Sequence, residues 1–297
     1  MKPTVGLIGV GNMGKGMALN LLRAGHGVVV NDVRPEPVAE LVAAGARAAA
    51  SPREVGAAAD PVIVMVLDFA QMDAVIFGPD GLVATLRPGA TVIGCSTIAP
   101  RQAEDLAARL APRGIDYIDA PVSGGKVGAE AGTLTVMAGA APEVFADARS
   151  VLDAIAAQVY HTGPVGAGQV AKMCHQVMAG VSLVATAECL ALAAASGLDR
   201  RLLYEIVTHG AGDGWMFRNR GERMLAGAAD ITSRLDIWAK DLGIILQAAD
   251  RHHLPLLLVS AARQWVQMGI AEGRGAEDDS AVLKVMERLI GEGAEAG

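Results

Sequence analysis

Positive charge is in short supply. Lys and Arg number 25 against 32 Asp and Glu, which leaves a net charge of −7. A chain of this sign is poorly suited to nucleic acid or to an anionic membrane surface, so neither is expected as a partner. Any anion it binds must be held by a local cluster of donors. Cysteine is scarce as well. Cys95, Cys174 and Cys189 have apolar neighbours and no paired spacing, which argues against a disulfide framework and predicts reduced core thiols. The six histidines are scattered except for the adjacent pair His252 and His253. Successive residues on a helix do not face each other, and no Cys or carboxylate pattern completes a site, so no metal is expected. The N-terminus enters a strand at once, without a signal-peptide n-region or cleavage site. No apolar run reads as long and uninterrupted enough to cross a bilayer. A cytoplasmic protein is the expectation. Aromatic residues make up only 3 % of the chain, whereas glycine numbers 36 and alanine is abundant; such a composition favours closely packed helices and close backbone approaches.

What is present points to a folded chain of one large or two medium domains. Apolar residues make up 52 % and charged residues 19 %, enough for a sizeable core and contrary to disorder. Residues 4–8 read as a buried strand. Gly9, Val10, Gly11, Asn12, Met13 and Gly14 follow, then a helical stretch over 15–24 closed by Gly25. A second strand, 27–31, ends at Asp32. Strand, glycine turn, helix and second strand together form the dinucleotide fingerprint, with glycines for the tight turn, the pyrophosphate approach and close packing. The helix N-terminus then faces the phosphates. A carboxylate at Asp32 suits the ribose hydroxyls and repels a 2′-phosphate, so NAD is preferred, while the nearby Arg34 keeps NADP open.

Strands then alternate with helical segments. Residues 39–44 read as helix and 46–50 as a short strand. Strands at 61–67, 91–95 and 116–118 follow, an edge strand at 133–139, a helix at 142–157 and a short strand at 160–162. This alternation predicts a parallel, doubly wound sheet, an α/β Rossmann domain over residues 1–163. Ligands gather at the carboxyl ends of such strands. Residues 9–14, Val66, Leu67 and Gln71, Ser96 and Thr97, and Ser123, Gly124 and Gly125 all fall there and should line one crevice. The small residues Ser123, Gly124 and Gly125 read equally as an anion nest or as an ordinary loop.

From Gly166 onward the strand signals stop, and residues 164–297 are expected to form an all-helical domain. A glycine- and proline-rich turn over 163–168 opens a helix of some thirty residues, rich in Ala, Leu and Met. Lys172 sits one turn in and Gln176 four residues later, on the same face. Two readings of Lys172 stand open: a side chain reaching to water at the helix edge, or a general acid/base at a domain junction. Lys240 and Asp241 interrupt another apolar helix, either as a solvated pair or with Lys240 as a second cation that lowers the Lys172 pKa and attracts an anion. Trp215, Phe217, Arg218 and Arg220 read as site cover, subunit contact, or core packing with exposed arginines. Residues 269–277 are expected to be a polar loop, and 291–297 a frayed tail.

With these motifs in view, the chain resembles the 3-hydroxyisobutyrate / β-hydroxyacid dehydrogenase family, relatives of 6-phosphogluconate dehydrogenase. Four separated motifs carry the resemblance in order: Gly-Leu-Ile-Gly-Val-Gly-Asn-Met-Gly ending at Gly14, Asp-Ala-Pro-Val-Ser-Gly-Gly ending at Gly125, Gly-Ala-Gly ending at Gly168 and leading to Lys172, and Lys-Asp-Leu starting at Lys240. The resemblance implies an N-terminal Rossmann domain and a C-terminal helical domain joined by a long helix, in homodimers or homotetramers. It implies Lys172 as catalytic acid/base and Ser123, Gly124 and Gly125 on the substrate carboxylate. It places Val66, Leu67, Gln71 and Thr97 on the cofactor and Lys240 near the nicotinamide. Many members have Asn four residues after the lysine, where this chain has Gln176, and Pro near Asp68. The Lys-x-x-His-Gln run, the loop at Gln71 and the segment from Trp215 to Arg220 look more like the L-threonate dehydrogenases of that family, which oxidise a four-carbon acid sugar at C2.

The expected activity is therefore NAD-dependent oxidation of a small anionic hydroxy acid. Alternatives are 3-hydroxyisobutyrate oxidation, NADPH-dependent reduction of tartronate or succinic semialdehyde, and a non-catalytic dinucleotide-binding scaffold.

Overall fold

The computed structural model of the protein describes residues 2–227 and 230–291. The tail expected to fray lies, beyond Gly291, outside the described residues. The chain forms two compact units, Met1–Lys172 and Met173–Gly297.

The first unit is built on a nine-stranded sheet. Its strands and helices run β1 (Thr4–Ile8), α1 (Gly14–Arg23), β2 (Gly27–Asn31), α2 (Pro35–Ala43), β3 (Arg47–Ala48), α3 (Pro52–Ala58), β4 (Val62–Val64), α4 (Phe69–Phe77), β5 (Thr91–Gly94), α5 (Pro100–Leu110), β6 (Asp116–Asp119), β7 (Val122–Ser123), α6 (Gly125–Ala131), β8 (Leu134–Gly139), α7 (Pro142–Ile155) and β9 (Ala156–Gly163). Strand order is β3-β2-β1-β4-β5-β6-β8-β7, with β9 paired to β8. The first six strands are parallel throughout. This is the Rossmann arrangement, with its order reversal between β1 and β4.

Side-chain alternation explains why both faces carry helices. Val5, Leu7, Val28, Val30, Ile63, Ile93 and Ile118 join one buried cluster with Met17, Leu21 and Leu152. Ile8, Val29, Val62, Val64, Val92 and Tyr117 join the other, with Val55, Met72, Ile76 and Leu106. Successive residues of one strand thus feed opposite layers, and each parallel strand must be apolar on both sides.

The expected strands and helices are present, with corrections at their limits. The 133–139 segment is not an edge. β8 pairs antiparallel with β6 and β7 and parallel with β9, so it lies inside the sheet. The strand expected at 160–162 is the eight-residue β9, which continues directly from α7. β4 stops at Val64, and Asp68 begins a helix: its Oδ1 accepts from the Gln71 amide at 2.9 Å and caps α4.

α8 (Ala167–Ala195) has 29 residues, and the division between the units falls within it. By length and composition it passes for a membrane span, contrary to the sequence expectation. In the second unit it packs as a core helix, with Leu183, Val184, Ala187 and Leu190 buried. They meet Trp238, Leu242 and Ile245 of α11 (Leu235–Arg251) and Val259 and Val266 of α12 (Leu257–Ala271). Between α8 and α11 come α9 (Arg200–Thr208) and α10 (Trp215–Ala226), and α13 (Val282–Ile290) ends the unit. Among the described residues the only strand-like feature here is an isolated bridge between Arg234 and Asp278.

Two composition-based expectations change. The three cysteines are free, but only Cys95 is buried; Cys174 is exposed and Cys189 half-buried. Arg220 is not an exposed arginine. It lies buried with its Nε 3.1 Å from Asp279 Oδ1, while Phe217 stacks on Tyr204. Arg218 is exposed and pairs with Asp213, and Trp215 is more than half exposed.

Candidate active site

The glycine turn after β1 has the geometry its residues require. Gly9 has φ +88°, and a Cβ there would overlap the Met65 carbonyl oxygen. A Cβ on Gly14 would overlap the Gly9 carbonyl oxygen. Both glycines are therefore fixed by space and, at Gly9, by the left-handed backbone. α1 starts at Gly14 with no side-chain cap and no acidic residue in its first turn. Its amides and the positive end of its dipole suit an anion.

Asp32 follows β2 and braces this turn. Its Oδ2 accepts from the Val10 amide at 2.8 Å, and its Oδ1 accepts from the Arg34 amide at 2.9 Å and from Arg34 Nε at 3.3 Å. Burial pushes its carboxyl up, but the hydrogen bonds from Arg34 and Val10 outweigh that and hold it below its usual value. The Arg34 side chain remains mostly exposed. Beside Asp32 an open cleft is walled by Pro35, Val38, Ala39, Val42 and Ala49. An apolar cleft with a carboxylate at its rim suits a base and its ribose. Sequence reasoning missed it, although Val38 and Val42 mark its helical wall at i and i+4.

The loops after β4 and β5 are tied together. Ser96 Oγ donates to the Val66 carbonyl at 2.6 Å and accepts from the Val66 amide at 3.1 Å. The Gln71 side chain accepts from the Leu67 amide at 3.1 Å. Thr97 lies between two residues gripped by one buried side chain. Gln169 Oε1 accepts from the Ile98 amide at 3.1 Å, and its Nε2 donates to the Ser96 carbonyl at 3.0 Å. Gln169 was not singled out from the sequence, because its partners lie some seventy residues away.

Gly124 and Gly125 have φ +123° and +60°, so this turn strongly favours glycine at both places. Beside it lies Lys172. The lysine is only 6 % exposed, and its Nζ donates to the Val122 carbonyl at 2.8 Å. The reading in which this side chain reaches out to water is thereby excluded.

Asp119 ends β6 and is fully buried. Its two oxygens accept from the amides of Gly166 and Gln169, each at 2.8 Å. Burial pushes its carboxyl up to about 7, while the amides of Gly166, Gln169 and Gly168 pull it the other way.

In the second unit one carboxylate gathers the remaining candidates. Asp241 is buried; its Oδ2 accepts from Gln176 Nε2 at 2.7 Å, and its Oδ1 pairs with Lys240 Nζ at 3.0 Å. The Lys240–Asp241 pair is therefore not a solvated one on its acidic side. Gln176 Oε1 also lies 3.1 Å from His175 Nδ1.

A Rossmann sheet with a braced glycine turn and an uncapped α1 forms the kind of site that binds a dinucleotide. Residues 4–163 match the NAD binding domain of 6-phosphogluconate dehydrogenase, and residues 166–286 match the domain described as NAD-binding of NADP-dependent 3-hydroxyisobutyrate dehydrogenase. The chain is 43 % identical over 286 residues to an L-threonate dehydrogenase of Cupriavidus necator, covering 96 % of each protein. It is 39 % identical over 284 residues to an L-threonate dehydrogenase of Haemophilus influenzae, covering 95 % of this chain and 94 % of that one. A crystal structure of 3-hydroxyisobutyrate dehydrogenase from Salmonella typhimurium superposes with a TM-score of 0.91 at 40 % identity, over 96 % of this chain and all of that one. The chain belongs to the 3-hydroxyisobutyrate/β-hydroxyacid dehydrogenase family. It is an NAD(P)-dependent β-hydroxyacid dehydrogenase, acting on a CH–OH group.

Proposed function

We propose that this enzyme oxidises L-threonate, or another four-carbon acid sugar, with NAD, and that Lys172 is its acid/base. The observation that carries the reading is the buried Lys172 Nζ, 2.8 Å from the Val122 carbonyl and so next to Ser123 along the chain. Bound NAD supplies the hydride acceptor. The α1 amides and residues 9–14 hold its pyrophosphate, the apolar cleft takes the adenine, and Asp32 takes the ribose hydroxyls. A carboxylate has about four acceptor positions, and three are used by Val10 and Arg34, so one remains, on Oδ2, for a ribose hydroxyl. Val66, Leu67, Gln71 and Thr97 line the rest of the cofactor's path.

The Ser123 hydroxyl and the amides of Gly124 and Gly125 hold the substrate carboxylate. Lys172 accepts the proton of the hydroxyl being oxidised, a role worth about 10²–10⁴-fold in rate. The family resemblance supports Gln176 on the substrate and Lys240 on substrate and nicotinamide, and within the second unit Asp241 holds both side chains. Relatives named L-threonate dehydrogenase at 43 % and 39 % identity support the substrate. The free cysteines suit a reducing cytoplasm. Met178, Leu192, Leu257 and Leu258 are exposed apolar side chains of the helical unit, which supports a homo-oligomer built on that unit.

The test is a panel of threonate, erythronate, glycerate, 3-hydroxyisobutyrate and 4-hydroxybutyrate, each with NAD and NADP at matched concentrations. The highest kcat/KM is expected for threonate with NAD. A second reading, 3-hydroxyisobutyrate oxidation or semialdehyde reduction with NADP(H), is favoured by the exposed Arg34 guanidinium beside Asp32. A clear NADP preference in the panel overturns the assignment of Asp32.

A further inference from the structure

We propose that Asp119 is a positioning residue for the reaction: it holds the first turn of α8 so that Lys172 Nζ stays in register with the Val122–Gly125 loop. This rests on the acid/base reading of Lys172 and adds what keeps that nitrogen in place.

The segment from Asp119 to Gly125 grips α8 twice. Its first hold is the Asp119 carboxylate, with Oδ1 on the Gly166 amide and Oδ2 on the Gln169 amide. These are helix-start amides that no residue within the helix can satisfy. The second hold is the Val122 carbonyl, which accepts from Lys172 Nζ. Only two residues separate Asp119 from Val122, and only two separate Gln169 from Lys172. The two holds therefore act on rigid, short pieces of chain, and one sets the register of the other.

Two glycines pack closely against the carboxylate. A Cβ on Gly168 would lie 2.6 Å from Asp119 Oδ2 and from the Asp119 carbonyl oxygen. A Cβ on Gly139, the residue paired with Asp119 across β6 and β8, would overlap Oδ1 and lie 2.7 Å from the Pro164 carbonyl oxygen. Glycines on two different elements thus make the space in which the carboxylate meets the helix start. A structural cap alone would need neither the close approach of β8 nor a second hold at the lysine.

The experiment uses the full-length enzyme with NAD and the best hydroxy acid of the panel. Asp119→Asn keeps the volume but puts a donor against one of the two amides. Gly168→Ala changes neither the Asp119 nor the Lys172 side chain and pushes the turn away from Asp119 by its methyl group. Each variant is assayed for kcat and for the KM of NAD. Each is also reductively methylated with formaldehyde and cyanoborohydride, and the Lys172 peptide is quantified by mass spectrometry. In the folded variants kcat is expected to fall about 10- to 100-fold, as for a sub-ångström to ångström misplacement of a reacting group. The NAD KM is expected to stay near the wild-type value, and Lys172 to be methylated faster than in the wild type. Either folded variant that keeps wild-type kcat, or wild-type protection of Lys172, overturns the proposal. Should Lys172→Ala keep its turnover while Asp119→Asn exposes Lys172, the acid/base reading fails and the positioning contact stands.

Discussion

Lys172 illustrates what a single side chain does when its surroundings are fixed by others. A buried amine without a partner is costly, and the hydrogen bond that Lys172 Nζ donates to the Val122 carbonyl offsets part of that cost. Other residues of the first unit are also held by neighbours distant in sequence, Asp32 by the Val10 amide and Ser96 by Val66. Asp32 is the clearest. Replacing it with Asn removes a charge from the Val10 amide and from Arg34 at once. Charged hydrogen bonds of this kind contribute about 1.5–3 kcal/mol, so Asp32→Asn is expected to raise the KM for NAD about tenfold or more. Steady-state kinetics with NAD and NADP check this, and NADP should lose less than NAD. An unchanged NAD KM contradicts the role given to Asp32. The identity of Asp32, Lys172, Ser123 and Lys240 as candidates was legible in the sequence, because each stands in a local motif. Gln169 stands in no motif, and the motifs that contain Asp119 and Asp241 do not reveal what their carboxyls hold, because those contacts lie 47 to 73 residues away.

At the scale of elements, the strand–turn–helix at the N-terminus could be read from composition alone. Its strand is continuously apolar because both sheet faces are covered, and its glycines are dictated by contact. Gly9→Ala is expected to lower stability by about 1–3 kcal/mol, through strain at φ +88° and overlap with Met65. Thermal unfolding with and without NAD checks it, and a midpoint equal to the wild type contradicts the packing account. Other elements were harder to read. α4 reads as loop from its composition, although Asp68 with Gln71 three residues later is the pattern of a helix start. β8 reads as an edge, because nothing local reveals that β9 crosses back to pair with it in parallel. The lengths of β3 and β7, two residues each, are set by their neighbours' register and not by their own residues.

At the scale of the whole molecule, each unit has its own core and its own source of stability. The helical unit contains a buried ionic cluster that ties α10 to the residues before α11 and α13. Asp278 accepts from Arg223, from the amide and hydroxyl of Thr232, and from Ser280. Burial would raise its carboxyl, but Arg223, Thr232 and Ser280 outweigh it and hold the group well below the usual range. A depressed folded value contributes stability that is fully present above the unfolded value and is lost as pH falls below it. Asp279, pushed by burial up to about 6 against the pull of Arg220 and Trp238, acts in the opposite direction. Its favourable share is present at low pH and is lost as pH rises through about 6. Asp278→Asn is therefore expected to destabilise strongly at pH 7, and its difference from the wild type is expected to shrink between pH 5 and pH 3. Chemical denaturation at several pH values measures both; a difference independent of pH contradicts the assignment. The exposed apolar residues of this unit bear on assembly, and sedimentation velocity is expected to give a dimer or larger. A monomer at micromolar concentration contradicts that part of the proposal.

The measurement that bears most directly on the whole account is turnover and coenzyme binding of Lys172→Ala in the same preparation. NAD affinity by titration calorimetry is expected to match the wild type, because the coenzyme contacts assigned above come from residues 9–14, Asp32 and the loops after β4 and β5. kcat is expected to fall by about 10²–10⁴-fold, the worth of a positioned proton acceptor. A variant that binds NAD normally and turns over at the wild-type rate contradicts the account.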